Sequence, residues 1–319
     1  RAMKKILIVG SANVDLSIHV KQIPAVGETV LGKSMERLPG GKGANQACAV
    51  GKLGGIGCFL CAVGSDDAGL LIQKSLKEAG MDPAHMKICE KESTGMAVVC
   101  VSDRGENNII VVSGANARCD VDYLKAQRAL FHDCDLLLLQ MEIPLESVVY
   151  AAKKAKSLGK TVILNPAPVP ENFPEELFQY ADYLTPNEVE LFKLANMKAG
   201  SSMAEVLQAG KRLLRKGANR LLVTLGGKGA LYLGKNEERL FAPPEVPVID
   251  TTAAGDTFNA AFAVKLAEGW NVGKAVNYAN CASSVTVSRK GAQTSIPTAY
   301  QVQEFLFNRK IELSPISLS

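Results

Sequence analysis

Short apolar runs alternate with longer segments of helical period along most of this chain. Residues 4–9, 58–63, 135–140, 161–164, 183–185, 220–224, 230–233 and 239–241 read as strands, short segments of three to six residues that are mostly apolar. Between them, apolar positions recur at helical spacing in residues 68–79, 145–157, 188–194, 204–215, 254–268 and 272–288, and a helix opens at Gly40-Gly41-Lys42-Gly43 and closes at Gly54-Gly55. Such alternation predicts an α/β fold, a mainly parallel central sheet with helices on both faces. Two excursions break the rhythm. Residues 16–20 and 28–31 are short alternating strands interrupted by Pro24 and Gly27, and residues 96–101 and 108–112 flank the turn Ser102-Asp103-Arg104-Gly105-Glu106. Paired together they would make a small β lid over the strand ends, giving a core of residues 3–14, 40–92 and 119–310 with a lid of 15–39 and 93–118. The lid strands carry apolar residues on both faces, Val98 and Cys100 against Val99 and Val101. Only one face can cover a site, so a symmetric homodimer through the lids is expected.

Composition narrows the partners. The 319 residues are 47% hydrophobic and 21% charged, ordinary for a globular protein, with no internal repeat. The net charge is only +4 and the basic residues are dispersed, so nothing marks a nucleic-acid or membrane-surface binder. No apolar run approaches the ~20 residues of a membrane span. Lys4-Lys5 leads straight into a strand rather than a signal core, so a cytoplasmic location is expected. Arg1-Ala2 ahead of Met3 reads as an appended remnant. Of the eight cysteines only Cys58 and Cys61 form Cys-x-x-Cys, inside an apolar strand and without a second pair or nearby histidines, so reduced thiols are expected rather than zinc. The three histidines, His19, His85 and His132, fall in no motif, and Gly-x-Ser-x-Gly is absent, which leaves hydrolase chemistry little support.

The chemistry gathers at Asp250-Thr-Thr-Ala-Ala-Gly-Asp-Thr-Phe-Asn259. A run rich in β-branched residues, 246–249, precedes it as a predicted strand, and an apolar helix ended by Gly269 follows. At a helix start the first amides lack intrahelical partners, so Ala253, Ala254 and Gly255 could form an anion hole for a moving phosphoryl group. Asp256, one residue further, could accept a proton from a hydroxyl nucleophile. Asn13, Asp15, Lys42, Asn45 and Glu142 fall at strand ends or helix starts; singly each also reads as a solvated cap, but together they suit the hydroxyls of one polyol. Thr224-Leu-Gly-Gly-Lys-Gly229 follows a buried strand, and its glycines Gly226, Gly227 and Gly229 permit close backbone approach to a nucleotide. Asn187 and Glu190, three apart at a helix start, could hold hydrated Mg2+. Two alternatives fall away. Gly27-Glu-Thr-Val-Leu-Gly-Lys-Ser34 matches the Walker A pattern, yet its interior is strand-like and Pro39 leaves no helix to supply the dipole. The dinucleotide fingerprint Gly-x-Gly-x-x-Gly is missing.

With Gly40-Gly-Lys-Gly-Ala-Asn-Gln46, Asp250–Asn259, Asn13-Val-Asp15, Glu92-Ser-Thr-Gly95, Gly114-Ala-Asn116, Asn165-Pro-Ala-Pro168, Pro186-Asn-Glu188 and Arg289-Lys-Gly-Ala-Gln293, the chain resembles the ribokinase-type carbohydrate kinases over nearly its whole length. The broader family often has Gly where Ala253 stands. The resemblance implies a sugar, ribose, held by Asn13, Asp15, Gly41, Asn45 and Glu142, with Asp256 as base. It implies ATP near Asn187, residues 224–229, Gly255 and Asn280, and a monovalent cation, K+, near Asp250, Thr252, Thr286, Arg289, Gly291 and Ser295. A loop that turns its amides toward phosphate turns carbonyls such as that of Thr252 away, and an oxygen-only cage would satisfy them. The expected activity is ATP-dependent phosphorylation of D-ribose at the 5-hydroxyl. The alternatives are a kinase for 2-deoxyribose or fructose, or a non-catalytic sugar sensor.

Overall fold

The computed structural model describes residues 3–200 and 202–313; Arg1 and Ala2, the expected remnant, lie outside the described residues. The strands are β1 (Lys5–Val9), β2 (Asn13–Val20), β3 (Gly32–Gly40), β4 (Ile56–Leu60), β5 (Ala62–Gly64), β6 (Lys87–Cys89), β7 (Gly95–Ser102), β8 (Asn107–Val112), β9 (Leu136–Leu139), β10 (Thr161–Leu164), β11 (Tyr183–Leu184), β12 (Leu221–Thr224), β13 (Ala230–Leu233) and β14 (Glu238–Phe241). The helices are α1 (Lys42–Lys52), α2 (Asp67–Glu78), α3 (Val121–Ala126), α4 (Arg128–Asp133), α5 (Leu145–Ser157), α6 (Leu177–Tyr180), α7 (Glu188–Leu194), α8 (Met203–Arg215), α9 (Ala254–Ala267), α10 (Val272–Val287) and α11 (Ala299–Asn308).

One sheet has eight strands in the order β14-β13-β12-β11-β10-β9-β1-β4, parallel from β12 through β4 and antiparallel only at the β12-β13-β14 end. Its middle strands are apolar at every position because both faces are covered. Alternate side chains serve two cores: Ile6, Ile8, Leu136 and Leu138 pack on the side of α1 and α9, whereas Leu7, Val9, Leu137 and Leu139 pack on the side of α5. Helix α9 is buried from Asp256 through Lys265, with only its start open to a cleft, which explains why its sequence shows no polar face. A second sheet, β3-β2-β7-β8, stands over one end of the first, with β2 and β7 parallel, so the two excursions pair as expected.

Three expectations need correction. Residues 28–31 form no strand; Glu28 instead accepts from the Ala25 amide at 2.8 Å and from Gln22 at 3.2 Å, closing a turn, and pairing with β2 begins at Gly32. Residues 246–249 form no strand: Pro247 has no amide to give a ladder, and the segment runs irregularly along a cleft with Val248 and Ile249 exposed, the Ile249 amide donating to the Val287 carbonyl at 2.8 Å. The apolar stretch 58–63 is broken at Cys61: β4 pairs with β1, while β5 leaves to pair with β6, which the period-2 pattern had not marked. All eight cysteines are unpaired.

Candidate active site

The carboxyl ends of β1, β9, β10 and β11 converge with the starts of α1 and α9, and polar side chains collect there. Asp256, buried at the first turn of α9, accepts hydrogen bonds on both oxygens: Asn45 Nδ2 reaches Oδ2 and Gln46 Nε2 reaches Oδ1, each at 3.0 Å. Burial pushes its carboxyl above the usual range, opposed by the Lys42 ammonium and by those two amides. Ala253 precedes the helix at φ 62° and ψ 9°, a left-handed conformation rare for a residue with a Cβ, and α9 begins without a side-chain cap. In that turn the Ala254 amide donates to the Thr251 carbonyl at 3.2 Å, so against expectation it is not free, while among the described residues no acceptor reaches the amides of Ala253 and Gly255, beside a cleft of about 660 Å3 lined by Ala254 and Gly255.

Gly41, at φ 87°, starts α1, and a Cβ there would sit 2.8 Å from the Asn13 amide. The motif's glycines therefore let the helix start lie directly on the β1–β2 turn. Glu142 fastens the contact by accepting from the Ser11 hydroxyl at 2.5 Å and from the Lys42 amide at 3.0 Å through Oε2, leaving Oε1 uncommitted. Asn13 Oδ1 accepts from Asn116 Nδ2 at 2.7 Å, and Asn116 is itself fixed by the Ala12 amide at 2.9 Å, so Asn13 keeps its Nδ2 as a donor. Asp15 stands beside Gly40. Burial, then the charges of Glu142 and Asp256, raise its carboxyl from 3.8 to about 6. Burial alone would lower the Lys42 ammonium, but Asp256, Glu142 and Glu190 together outweigh it and hold it above its ordinary value.

The cleft on the other side of Gly255 is walled by Asn187, Thr224, Gly226, Gly227, Gly229 and Asn280, the set expected to meet the nucleotide. Asn280 donates to the Phe241 carbonyl at 2.9 Å. Asn187 and Glu190 form a capping box on α7, each backbone amide bonded at 2.8 Å to the other's side chain. The box engages Asn187 Oδ1, leaving Nδ2 as its polar handle, and leaves Oε1 of Glu190 available to a hydrated cation. Burial raises the Glu190 carboxyl. Among the described residues no cluster of three or more His, Cys, Asp or Glu could hold a metal.

Asp250 joins the loop before α9 to the loop after α10, its carboxylate accepting from the amides of Thr252 at 2.9 Å and Gly291 at 3.0 Å. These bonds, against burial, hold its carboxyl below the usual range. The Thr286 hydroxyl pairs with Thr257 at 2.9 Å, that of Ser295 donates to the Ala292 carbonyl at 2.6 Å, and the Arg289 guanidinium turns to Gln301. Among the described residues no donor reaches the carbonyls of Thr252, Arg289 or Gly291. Lys33 of the Walker-like stretch lies on β3, half exposed and paired with Asp103 at 2.5 Å, far from this constellation in the lid.

Four residues to which sequence reasoning gave no role complete the site. Gln46 also donates to Asn165 Oδ1 at 3.2 Å and accepts from Gln140 Nε2 at 2.6 Å, while Gln293 Nε2 donates to Asn45 Oδ1 at 3.1 Å. Gln140 and Asn165 directly follow buried strands β9 and β10, a signal that was legible; Gln293 carries no local signal.

Residues 3–299 match the family model described as pfkB family carbohydrate kinase. A ribokinase of Haemophilus influenzae is 37% identical over 303 residues, 95% of this chain and 98% of its own. A deoxyribokinase of Salmonella typhi is 32% identical over 301 residues, 94% and 98% of the two chains. The structure of Arabidopsis thaliana ribokinase complexed with ribose and ATP superposes with a TM-score of 0.88 at 34% identity, covering 96% of this chain and 99% of that one.

Proposed function

The chain belongs to the pfkB family of carbohydrate kinases, and we propose from that premise that it transfers the terminal phosphoryl group of ATP to the 5-hydroxyl of D-ribose, giving ribose 5-phosphate and ADP. The observation that carries this reading is Asp256, buried between a polyol-type cluster and the cleft beneath the uncapped start of α9.

In this reading Asn13, Asp15, Gly41, Lys42, Asn45 and Glu142 hold the sugar by its hydroxyls. Lys42 and Glu142 reach one another's field, so the ammonium offsets the carboxylates around it. Asp256 takes the proton of the 5-hydroxyl as that oxygen bonds to the terminal phosphorus, and the bond from phosphorus to the bridging oxygen breaks to release ADP. Ala253, Ala254 and Gly255 would form the anion hole, the amides of Ala253 and Gly255 receiving the charge that builds on the phosphoryl oxygens and that of Ala254 joining them on release from the Thr251 carbonyl; the left-handed turn at Ala253 and the two unpartnered amides support this. The nucleotide lies along Asn187, Thr224, Gly226, Gly227, Gly229, Gly255 and Asn280. Mg2+, when bound, would neutralise the phosphates, and Glu190 would hold it through water by its Oε1, which the capping box leaves unused. K+ would sit among the hard oxygens around Asp250, Thr252, Thr286, Arg289, Gly291 and Ser295, a reading supported by the carbonyls of Thr252, Arg289 and Gly291, which no donor reaches among the described residues; it would stiffen the α9 start without entering the chemistry.

We also take residues 15–39 and 93–118 as a lid inserted in the core 3–14, 40–92 and 119–310, and the lids as the dimer contact. Ile109, Ile110, Val111 and Val112 of β8 alternate across both faces and are each more than half exposed, which supports it. Unpaired cysteines suit a reducing, cytoplasmic setting. Among the described residues no helix is long and apolar enough to cross a membrane.

The test compares kcat/KM for ribose, 2-deoxyribose, fructose, adenosine and fructose 6-phosphate. Ribose should lead. The lid stretches 15–39 and 93–118 contain no Phe, Tyr or Trp to stack a base, and Lys42 is the one cation in the proposed sugar set. A preference for adenosine or the phosphate ester defeats the reading; a preference for 2-deoxyribose moves it to the second one, in line with the relative described as a deoxyribokinase. Asp256→Asn should lower kcat on the order of 10² to 10⁴-fold with the fold intact.

A further inference from the structure

Two chains of side-chain amides run toward Asp256, one to each of its oxygens. On one, Gln140 Nε2 donates to Gln46 Oε1 at 2.6 Å, and Gln46 Nε2 donates to Asp256 Oδ1 at 3.0 Å. On the other, the Ser75 hydroxyl donates to Gln293 Oε1, Gln293 Nε2 to Asn45 Oδ1 at 3.1 Å, and Asn45 Nδ2 to Asp256 Oδ2 at 3.0 Å. Every donor in both chains points the same way. A carboxylamide presents an acceptor and a donor from opposite sides, so an outer donor that occupies the oxygen of Asn45 or Gln46 obliges the NH2 end to face the carboxylate. Without that outer partner the oxygen of the inner amide becomes a buried acceptor left unpaired and its NH2 end is held less firmly against the carboxylate, by nothing else for Asn45 and only by the 3.2 Å bond from Nε2 to Asn165 Oδ1 for Gln46.

We propose that Gln140 and Gln293 are positioning residues that fix the aim of Asp256 by orienting Gln46 and Asn45. The inference rests on the reading of Asp256 as base. Gln140 and Gln46 are wholly buried and cannot meet the sugar, whereas Asn45 keeps a small exposed surface at the site. The two arms therefore differ in what they control. The Gln140 arm governs the base alone. The Gln293 arm governs the base and also a sugar-binding amide, and it ties both to the loop that follows α10, with Cys48 Sγ 3.3 Å from Gln293 Oε1 as a second anchor.

The experiment measures kcat, both KM values and the melting temperature for wild type, Gln140→Met and Gln293→Met, substitutions that keep length and volume but remove the amide. Gln140→Met should lower kcat by about 10- to 100-fold, the loss of one hydrogen bond to a charged group, while KM for ribose and for ATP stay within about twofold. Gln293→Met should lower kcat similarly and raise KM for ribose about three- to tenfold, again with KM for ATP unchanged. Variants that melt like wild type and keep kcat within about threefold overturn the proposal. So does a loss spread equally over kcat, both KM values and the melting temperature, because that is general loosening of the fold. Should Gln140→Met not fold, Gln293→Met, at the edge of a surface cleft, decides by its own split. A wild type that turns over no sugar with ATP fails the kinase reading itself, an outcome separate from unchanged variants of an active enzyme.

Discussion

Replacing Asp15 by Asn should make the ligand-free protein more stable and the enzyme worse. Asp15 is crowded by burial and by the carboxylates of Glu142 and Asp256, and its carboxyl rises from 3.8 to about 6. A rise of roughly 2 units corresponds to about 3 kcal/mol of unfavourable ionisation, reduced to about 2–3 kcal/mol for the solvent that still reaches the group. Because the folded state binds this proton more tightly than the unfolded chain, stability falls as pH climbs from about 4 to about 6, and the whole penalty is present above that window. Asn carries no such ionisation. By differential scanning calorimetry at pH 8, Asp15→Asn should melt about 3–6 °C above wild type, and the two curves should converge near pH 4. The same variant should lose on the order of 10²-fold in kcat/KM for ribose, since sugar hydroxyls donate more strongly to a carboxylate than to an amide. Equal melting at pH 8, or a gain that persists at pH 4, refutes the account of Asp15 as a strained, ligand-directed charge.

Other predictions test the remaining assignments. Lys33→Ala should leave KM for ATP within about threefold, because Lys33 only makes a half-exposed ion pair with Asp103; a loss of a hundredfold restores a phosphate role for that stretch. At fixed Mg2+ and equal ionic strength, K+ and Cs+ should raise kcat above Na+ and tetramethylammonium, with a smaller effect on KM for ribose, and identical rates in all four remove the cation loop from the mechanism. Wild type should sediment as a dimer at micromolar concentration and Ile110→Asp as a monomer; a monomeric wild type leaves the exposed β8 face unexplained.

The sequence by itself determined the architecture and the chemical inventory. Strands such as Leu136–Leu139, apolar at every position, can only be buried on both faces, which already implies a parallel sheet between helices. The segment Asp250–Asn259 likewise announces a helix start with an acid in its first turn, because the lack of a capping side chain and the small residues before it are local properties. Local pattern failed where pairing partners decide the outcome. Residues 28–31 close a turn and 246–249, interrupted by Pro247, bonds to the end of α10, so neither joins a strand, and 58–63 divides because β5 finds β6 instead of continuing beside β1. The tertiary structure alone decided how the base is held. Asn45 and Gln46 lie about 210 positions from Asp256, and Gln293 lies 248 from Asn45, so no window of sequence can show that their amides form directed chains. It also decided that Ala253 takes a left-handed turn and that Asp15 is charged against its surroundings, since backbone strain and carboxylate crowding arise only once distant elements are packed together.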